Sequence, residues 1–281
     1  MRELNINKIK ETIKPLLADI AFVYSKDIRK ALEDGKAQEE NERSVLAMEM
    51  LLNNAEIAEN ERIPICQDTG MVTFFVKAGQ DVHFIGGSLN SALNEAAAET
   101  YTENYLRASV VDDPLFDRVN TKNNTPAVIY TELVEGDQVE IRMTAKGFGS
   151  ENMSRIAMLK PAEGVEGVKR FVLETIELAG PNACPPMIVG VGIGGTFDSC
   201  AMMAKKALLR PLDEGNPDSR YKALEDELLE SANQLMIGPM GLHGKTTALK
   251  VQIEQMPTHI AGMPCAVNIC CHACRHAEMT L

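Results

Sequence analysis

The sequence lacks an excess of positive charge. Its 28 Lys and Arg residues are outnumbered by 40 Asp and Glu residues, which gives a formal net charge of -12 at pH 7. The basic residues are scattered along the chain and form no stripe that would compensate this charge locally. A phosphate backbone would therefore be repelled, and we expect no nucleic-acid partner.

Long hydrophobic runs are also missing. The longest apolar stretches, such as PPMIVGVGIGG, are short and are broken by Pro and Gly, whereas a membrane-spanning helix needs about 20 apolar residues. The N-terminal segment alternates apolar and charged residues and lacks the apolar core and cleavage site of a signal peptide. We therefore expect no membrane contact and a cytoplasmic location.

Internal repeats, low-complexity blocks and long linkers are absent as well. The hydrophobic content of 45% and the charged content of 24% are typical of a soluble globular protein. Helical spacing of apolar residues dominates residues 1–60, and strand-like runs alternate with helical segments after that. We predict a mixed α/β (α+β) fold in one domain, 1–281, with a helical N-terminal portion (about 1–60) packed on an α/β portion (about 61–281).

Two strand candidates, PAVIYTELV and QVEIRMTAK, are separated by EGD, which resembles a hairpin turn and predicts that they pair with each other. Further on, GVEGVKRFVLETIELAG is an amphipathic helix that Gly180 closes.

Two glycine motifs invite nucleotide-binding interpretations. GVGIGG formally fits the dinucleotide pattern through Gly190, Gly192 and Gly195, but Asp213 follows in a surface loop and not at a strand end. Close packing of a strand against a helix is the alternative explanation. GPMGLHGKTT has Pro239 where the phosphate-binding loop needs its first Gly, so nucleotide hydrolysis is not specified, although such a turn can bind a small anion through its amides.

The chain contains seven cysteines, an odd number that leaves any full disulfide scheme one thiol short. Cys66 and Cys184 stand in turns, in PICQDTG and NACPP, whereas Cys200 and Cys265 lie among small apolar residues and are expected to fill the core. The C-terminal ICCHACRH is crowded with potential ligands. One hypothesis is a local zinc site in a non-enzymatic module, built from Cys270, Cys271, His272, Cys274 and His276.

Five motifs in order resemble one protein family. They are PICQDTG, NACPP with VGVGIGG, a helix with KKALLR, IGPMGL, and AVNICCHACRH. This set is similar to the alpha subunit of class I fumarate hydratases and the related tartrate dehydratases, which are iron-sulfur hydro-lyases. The resemblance covers nearly the whole chain, and the five motifs together are far more specific than any one of them.

The resemblance implies that Cys66, Cys184 and Cys271 hold a 4Fe-4S cluster. A cluster held by only three thiolates leaves one iron open, and an open iron acts as a Lewis acid toward a 2-hydroxy acid. It also implies an oxygen-sensitive enzyme, because the iron without a thiolate ligand should be lost first on oxidation. Cys270, Cys274, His272 and His276 then become residues that pack near the ligands.

Further site residues are implied by the same motifs. Asp68 and His259 match catalytic positions, and the matching substrate-binding residues are Gln67, Arg107, Gly147 and Gly149. Taken singly, Asp68 is more readily explained as the cap of a turn, Arg107 as a surface charge and His259 as a core histidine. An arginine suits a carboxylate because guanidinium forms two parallel hydrogen bonds to it.

The implied reaction is the reversible hydration of fumarate, a small dicarboxylate, to L-malate. Tartrate dehydration to oxaloacetate is the alternative within the family, and mesaconate is another candidate substrate. In single-chain relatives a second domain follows, so the resemblance implies a separate beta subunit that completes the site, in an assembly of two alpha and two beta subunits.

Overall fold

The structure is a computed structural model that describes all residues, 1–281, and they form two compact units. The first unit comprises Met1–Ser25, Ala55–Phe148 and Arg275–Leu281; the second unit comprises Lys26–Asn54 and Gly149–Cys274. Both contain helices and a four-stranded sheet, which confirms the mixed α/β prediction. No helix has the length and apolar character needed to cross a membrane.

Eight α-helices and ten strands follow each other along the chain. The helices are α1 (Ile6–Phe22), α2 (Lys26–Gln38), α3 (Glu42–Glu61), α4 (Leu89–Glu103), α5 (Phe148–Glu151), α6 (Gly164–Ala179), α7 (Phe197–Ala207) and α8 (Ser219–Gln234). The strands are β1 (Arg2–Asn5), β2 (Met71–Gly79), β3 (Val82–Ile85), β4 (Val128–Val134), β5 (Val139–Lys146), β6 (Arg155–Leu159), β7 (Met187–Gly195), β8 (Ala248–Thr258), β9 (Met263–Cys270) and β10 (His276–Thr280).

The predicted helical start is confirmed, although the short strand β1 precedes it. Helix α1 begins where the Asn5 side chain accepts a hydrogen bond from the Asn7 amide (2.9 Å), as a helix N-cap does. Its buried residues, Ile9, Ile13 and Leu17, recur at spacings of four and pack into the core of the first unit. Helices α2 and most of α3 belong to the second unit, so the helical segment is divided between the units.

The first-unit sheet has the order β10-β5-β2-β4, which makes the predicted hairpin of β4 and β5 wrong. Strand β2 lies between them, antiparallel to β5 and parallel to β4. The reason is burial: β2 is buried along most of its length and takes a central place, whereas β4 is largely exposed and suits an edge. The EGDQ connection passes over the end of β2, where the Gly79 amide donates to the Gln138 carbonyl (2.8 Å).

In the second unit the sheet order is β6-β9-β7-β8. Helices α6 and α8 supply buried residues to its main core, and α7 packs on β7 and β9. A Cβ atom on Gly190 would lie 2.1 Å from the Ala204 carbonyl oxygen, and one on Gly192 would lie 2.2 Å from that of Cys200. The GVGIGG glycines therefore serve close strand-to-helix packing, which is the alternative to dinucleotide binding.

The GKTT turn already holds an anion from the chain itself. The buried Glu39 carboxylate accepts hydrogen bonds from the Lys245 amide (3.0 Å) and the Thr246 amide (2.6 Å). A Cβ on Gly244 would meet the same carboxylate at 2.5 Å. The amides that a small anion would use are thus already bonded to Glu39. The turn therefore has a structural role, since it connects two distant parts of the second unit.

Candidate active site

The first unit carries the QDTG turn, residues 67–70, directly after Cys66. This segment lies outside helix and strand, between the end of α3 and the start of β2. Its entry is pinned by the Ile65 amide, which donates to the Ala21 carbonyl of α1 (2.9 Å). Cys66 and Asp68 are half-buried and Gln67 is exposed, so the side chains expected to contact substrate are accessible.

Buried polar side chains hold three consecutive carbonyl oxygens of the turn, at residues 68–70. Arg275 donates to the first (2.8 Å), the Tyr101 hydroxyl lies 2.6 Å from the second and 2.9 Å from the third, and Asn124 donates to the third (3.0 Å). Burial raises the pKa of Tyr101 to about 12, so its hydroxyl remains a donor at neutral pH. These hydrogen bonds fix the backbone of the turn and do not involve the side chains of Gln67 and Asp68.

The Asp68 carboxylate is held by two backbone amides. Its Oδ1 accepts from the Gly70 amide (3.0 Å), and its Oδ2 accepts from the Phe148 amide at the start of α5 (2.8 Å). The bond from Gly70 is a turn cap, as one interpretation of the sequence predicted. The bond from Phe148 connects the turn to the KGFGS segment. A Cβ on Gly147 would lie 3.2 Å from Asp68 Oδ2, so glycine allows this close approach.

Arg107 is exposed and lies beside Gln67. Its Nη1 donates to Gln67 Oε1 (2.9 Å), and its carbonyl accepts a hydrogen bond from the Thr69 hydroxyl (2.9 Å). Helix α4 ends at Glu103 because Tyr105 adopts a left-handed conformation (φ 54°). That ending turns the chain so that Arg107 reaches the QDTG turn.

Arg275 was not recognised from the sequence. It is only 3% exposed, and it follows the last predicted cluster ligand by four positions in ACRH. It immediately precedes β10, a strand that was also missed and that pairs antiparallel with β5. The only available signal was an arginine within a segment otherwise rich in cysteine, which drew attention to metal binding instead.

In the second unit, Cys184 and the segment after β9 lie side by side. Cys184 ends a short 3-10 turn, residues 180–183, in a left-handed conformation (φ 51°), and its carbonyl accepts from the His272 amide (3.4 Å). Cys271 is the first residue after β9. Two of the three predicted ligands thus come from neighbouring turns of this unit, while Cys66 belongs to the first unit.

Exposure divides the seven cysteines into two groups. The three predicted ligands, Cys66, Cys184 and Cys271, are half-exposed, and the other four are buried. Burial raises the pKa of Cys200 to about 11 and that of Cys265 to about 12, which disfavours their thiolates and fits their predicted core role.

The local zinc hypothesis is not supported. Within neither unit do three His, Cys, Asp or Glu side chains lie together in a way that could hold a metal ion. In the ICCHACRH segment, Cys270, His272 and Cys274 are buried, and Cys271 and His276 are half-exposed. Three cysteines remain as accessible sulfur donors, Cys66 in the first unit and Cys184 and Cys271 in the second. Sulfur is the donor that iron-sulfur clusters require, so the chemistry of these side chains suits such a cluster.

His259 and Gly149 lie in the second unit. His259 is exposed at the connection from β8 to β9, which excludes the core-histidine explanation. Its Nδ1 accepts from the Ala261 amide (3.1 Å), so a neutral imidazole carries its proton on Nε2. A Cβ on Gly149 would meet no atom within 4 Å, and no contact inside the chain requires glycine there.

A sequence model of the family described as fumarate hydratase (fumerase) matches residues 10–280. The chain belongs to this family. As a member it is a hydro-lyase. It is 41% identical to a protein of Methanocaldococcus jannaschii named putative L(+)-tartrate dehydratase subunit alpha, over 96% of both chains. It is 34% identical to the L(+)-tartrate dehydratase subunit alpha of Escherichia coli K12, over 98% of this chain and 93% of that one.

Proposed function

We propose that this chain is the alpha subunit of an iron-sulfur hydro-lyase that interconverts fumarate and L-malate. The observation that supports this most is the assembly around the QDTG turn. Gln67, Asp68, Arg107 and Gly147, all assigned to the site by their motifs, meet at one turn that follows the proposed ligand Cys66. A surface charge and an ordinary turn cap would not need to converge in this way.

Cys66, Cys184 and Cys271 are proposed to hold the 4Fe-4S cluster as thiolates. Their half-exposed positions in turns support this assignment, since a substrate must reach the group they hold. When bound, the cluster would supply an open iron as Lewis acid for the hydroxyl and one carboxylate of the substrate.

The protein side chains would bind the dicarboxylate and move the proton. Arg107 presents a guanidinium to a substrate carboxylate, and Gln67 orients that guanidinium through its Oε1. Asp68 accepts a hydrogen bond from a backbone amide on each oxygen, and its position directly after Cys66 suits a group that exchanges a proton with the substrate hydroxyl, while the partner supplies the base.

His259 and Gly149 are proposed to complete the binding of substrate. In a neutral His259, Nδ1 accepts from the Ala261 amide, so Nε2–H is the group that would donate a hydrogen bond to the substrate. Gly149 would allow the backbone of the KGFGS segment to approach the substrate, which explains a glycine that internal packing does not require.

A partner is proposed to supply the rest of the site. The relatives from Methanocaldococcus jannaschii and Escherichia coli are named alpha subunits, so we propose a beta subunit here as well, in an assembly of two alpha and two beta chains. Residues 1–281 would act as one alpha-type catalytic domain. We place the enzyme in the cytoplasm, where reducing conditions keep cysteines available as ligands.

The second candidate reaction is the dehydration of L(+)-tartrate to oxaloacetate. It is favoured by the names of both relatives, whereas the description of the matching family favours fumarate. The alpha-chain residues around the QDTG turn recognise a carboxylate, which is common to fumarate, malate and tartrate, so kinetics must decide between these substrates.

The test uses the alpha-beta complex, purified anaerobically, with iron and sulfide analysis and an electronic spectrum. We expect a sulfide-containing cluster and a kcat/KM for fumarate that exceeds the values for L(+)-tartrate and mesaconate. A higher kcat/KM for L(+)-tartrate than for fumarate would show that tartrate dehydration is the reaction instead. Stoichiometric zinc without sulfide would reject the cluster, and full activity of the alpha chain alone would reject the need for a partner.

A further inference from the structure

We propose that Arg275 is a positioning residue that sets the orientation of the QDTG turn and thereby of the Asp68 carboxylate. The inference rests on the proposed function for its kinetic consequence. Its structural part, the restraint of the turn by a buried guanidinium, can be tested separately from activity.

The guanidinium contacts the Asp68 backbone and borders Gly147. Nη1 donates to the Asp68 carbonyl (2.8 Å). A Cβ built on Gly147 would lie 3.4 Å from Arg275 Nη2 and 3.2 Å from Asp68 Oδ2, so both groups border the same Gly147. Arg275 therefore contacts the backbone of the turn, and its guanidinium borders the same glycine as the Asp68 carboxylate.

The main chain of Arg275 is anchored to strand β5. The Arg275 carbonyl accepts from the Thr144 hydroxyl (2.7 Å) and the Ala145 amide (3.3 Å), both in β5. The next residues form β10, which pairs with β5. The side chain thus starts from the sheet and reaches the turn, which makes it a rigid link between the core of the first unit and the proposed catalytic carboxylate.

Its charge is unusual for a structural residue. Arg275 is 3% exposed, forms no ion pair with a carboxylate, and its buried Nε has no hydrogen-bond partner. Burying a charge that forms no ion pair is costly, and an apolar residue of similar size would fill the same space at lower cost. A neutral side chain, such as those of Tyr101 and Asn124, already suffices to hold the other two carbonyls of the turn.

A charged donor has one advantage at this place. A hydrogen bond from an ionised donor is roughly twice as strong as one between neutral groups, so it restrains its acceptor more tightly. The restrained acceptor is the carbonyl of Asp68 itself, the residue whose side-chain position we propose to matter for proton transfer.

The experiment compares three variants in the anaerobic alpha-beta complex. Arg275→Met removes the donor and the charge, Arg275→Lys retains the charge and one donor, and Arg2→Met is the matched control. Arg2 also donates through Nη1 to a backbone carbonyl, that of Asp137, at 2.8 Å in the same unit, but it is remote from the turn in sequence and contact. The readouts are kcat and KM, the iron-to-sulfide ratio, and amide hydrogen exchange.

We expect Arg275→Met to keep its cluster, to lower kcat at least about tenfold, and to change KM less than about threefold, since a misplaced group costs rate rather than ground-state binding. Arg275→Lys should recover part of that kcat, and Arg2→Met should match the parent enzyme. Amide exchange at Gly70 and Phe148, the two amides bonded to the Asp68 carboxylate, should become about tenfold faster in Arg275→Met.

Unchanged kcat and unchanged exchange in Arg275→Met would overturn the inference. If that variant fails to assemble, Arg275→Lys decides: an intact cluster with an intermediate kcat supports positioning, and loss of the cluster in Arg275→Lys as well overturns it. If the parent complex turns over none of the substrates, the proposed function fails. Amide exchange in the unliganded chain then still decides the structural part.

Discussion

Replacing Gly147 by Ala is the sharpest perturbation of the proposed catalytic carboxylate. The new Cβ would lie 3.2 Å from Asp68 Oδ2 and 3.4 Å from Arg275 Nη2, where ordinary contact begins at about 3.4 Å. Asp68 must therefore give way by about 0.2 Å. It cannot do so freely, because one carboxylate oxygen is bonded to the Gly70 amide and the other to the Phe148 amide.

The expected magnitude follows from this displacement. A misplacement of about 1 Å costs about a hundredfold in rate, so a few tenths of an ångström should lower kcat about threefold to tenfold, or about 0.7–1.4 kcal/mol in the barrier. Stability should change little. Gly147 has no left-handed backbone, so Ala is allowed there, and the lost freedom of the unfolded chain stabilises by about 0.4–1 kcal/mol, which offsets the crowding.

The assay measures kcat and KM of the anaerobic alpha-beta complex together with the iron-to-sulfide ratio and the Tm. Gly149→Ala is the contrasting variant, since its Cβ meets no atom of the chain and leaves Asp68 undisturbed. We expect Gly147→Ala to act mainly on kcat and Gly149→Ala mainly on KM. A Gly147→Ala enzyme with full kcat and an intact cluster would refute the reasoning, because the crowded carboxylate would then have no part in turnover.

The remaining predictions concern the cysteines and an ion pair. Cys271→Ser should abolish cluster assembly, whereas Cys274→Ser, which changes a buried thiol, should largely preserve it; equal loss in both, measured as iron and sulfide per chain, contradicts the ligand assignment. Hydrogen bonds from Lys14 and then Lys10 hold the pKa of Glu99 below its ordinary value of 4.5. Because the carboxyl pKa is lower in the folded state, the ionised carboxylate stabilises the fold at pH values above its ordinary pKa. This contribution disappears as the pH falls through the pKa of the folded state. Glu99→Gln should therefore lower the Tm at pH 7, modestly because the pair is partly exposed, and the difference should vanish in acid; a difference that persists there excludes the ion pair as its cause.

The strands show how far sequence patterns reach. The alternating runs that became β4 and β5 were placed correctly, but their pairing was predicted from the short EGD connection between them. Pairing depends on which strand is buried on both faces, and β2, earlier in the chain, met that condition. A local turn signal cannot reveal a competing strand that lies about 50 residues away.

The candidate site shows a similar division. Gln67, Asp68, Arg107 and Gly147 were found through motifs, and the structure brings them together through hydrogen bonds and close contacts. Arg275 escaped because its importance lies in a bond to a backbone carbonyl, and any residue type offers such an acceptor. The ICCHACRH motif that contains Arg275 is rich in cysteine, which indicates metal binding and not a structural arginine.

The sequence by itself determined the family, the class of reaction and the residue types available to it, since motif order and donor chemistry are properties of the chain. It also determined most helices, because the spacing of apolar residues is local. Only the tertiary structure decided that Cys270 and Cys274 are buried beside the half-exposed Cys271, that Glu39 occupies the amides of the GKTT turn, and that a buried arginine holds the turn of Asp68. Burial and contacts between residues more than 100 positions apart arise only when the chain has folded, so no local pattern encodes them.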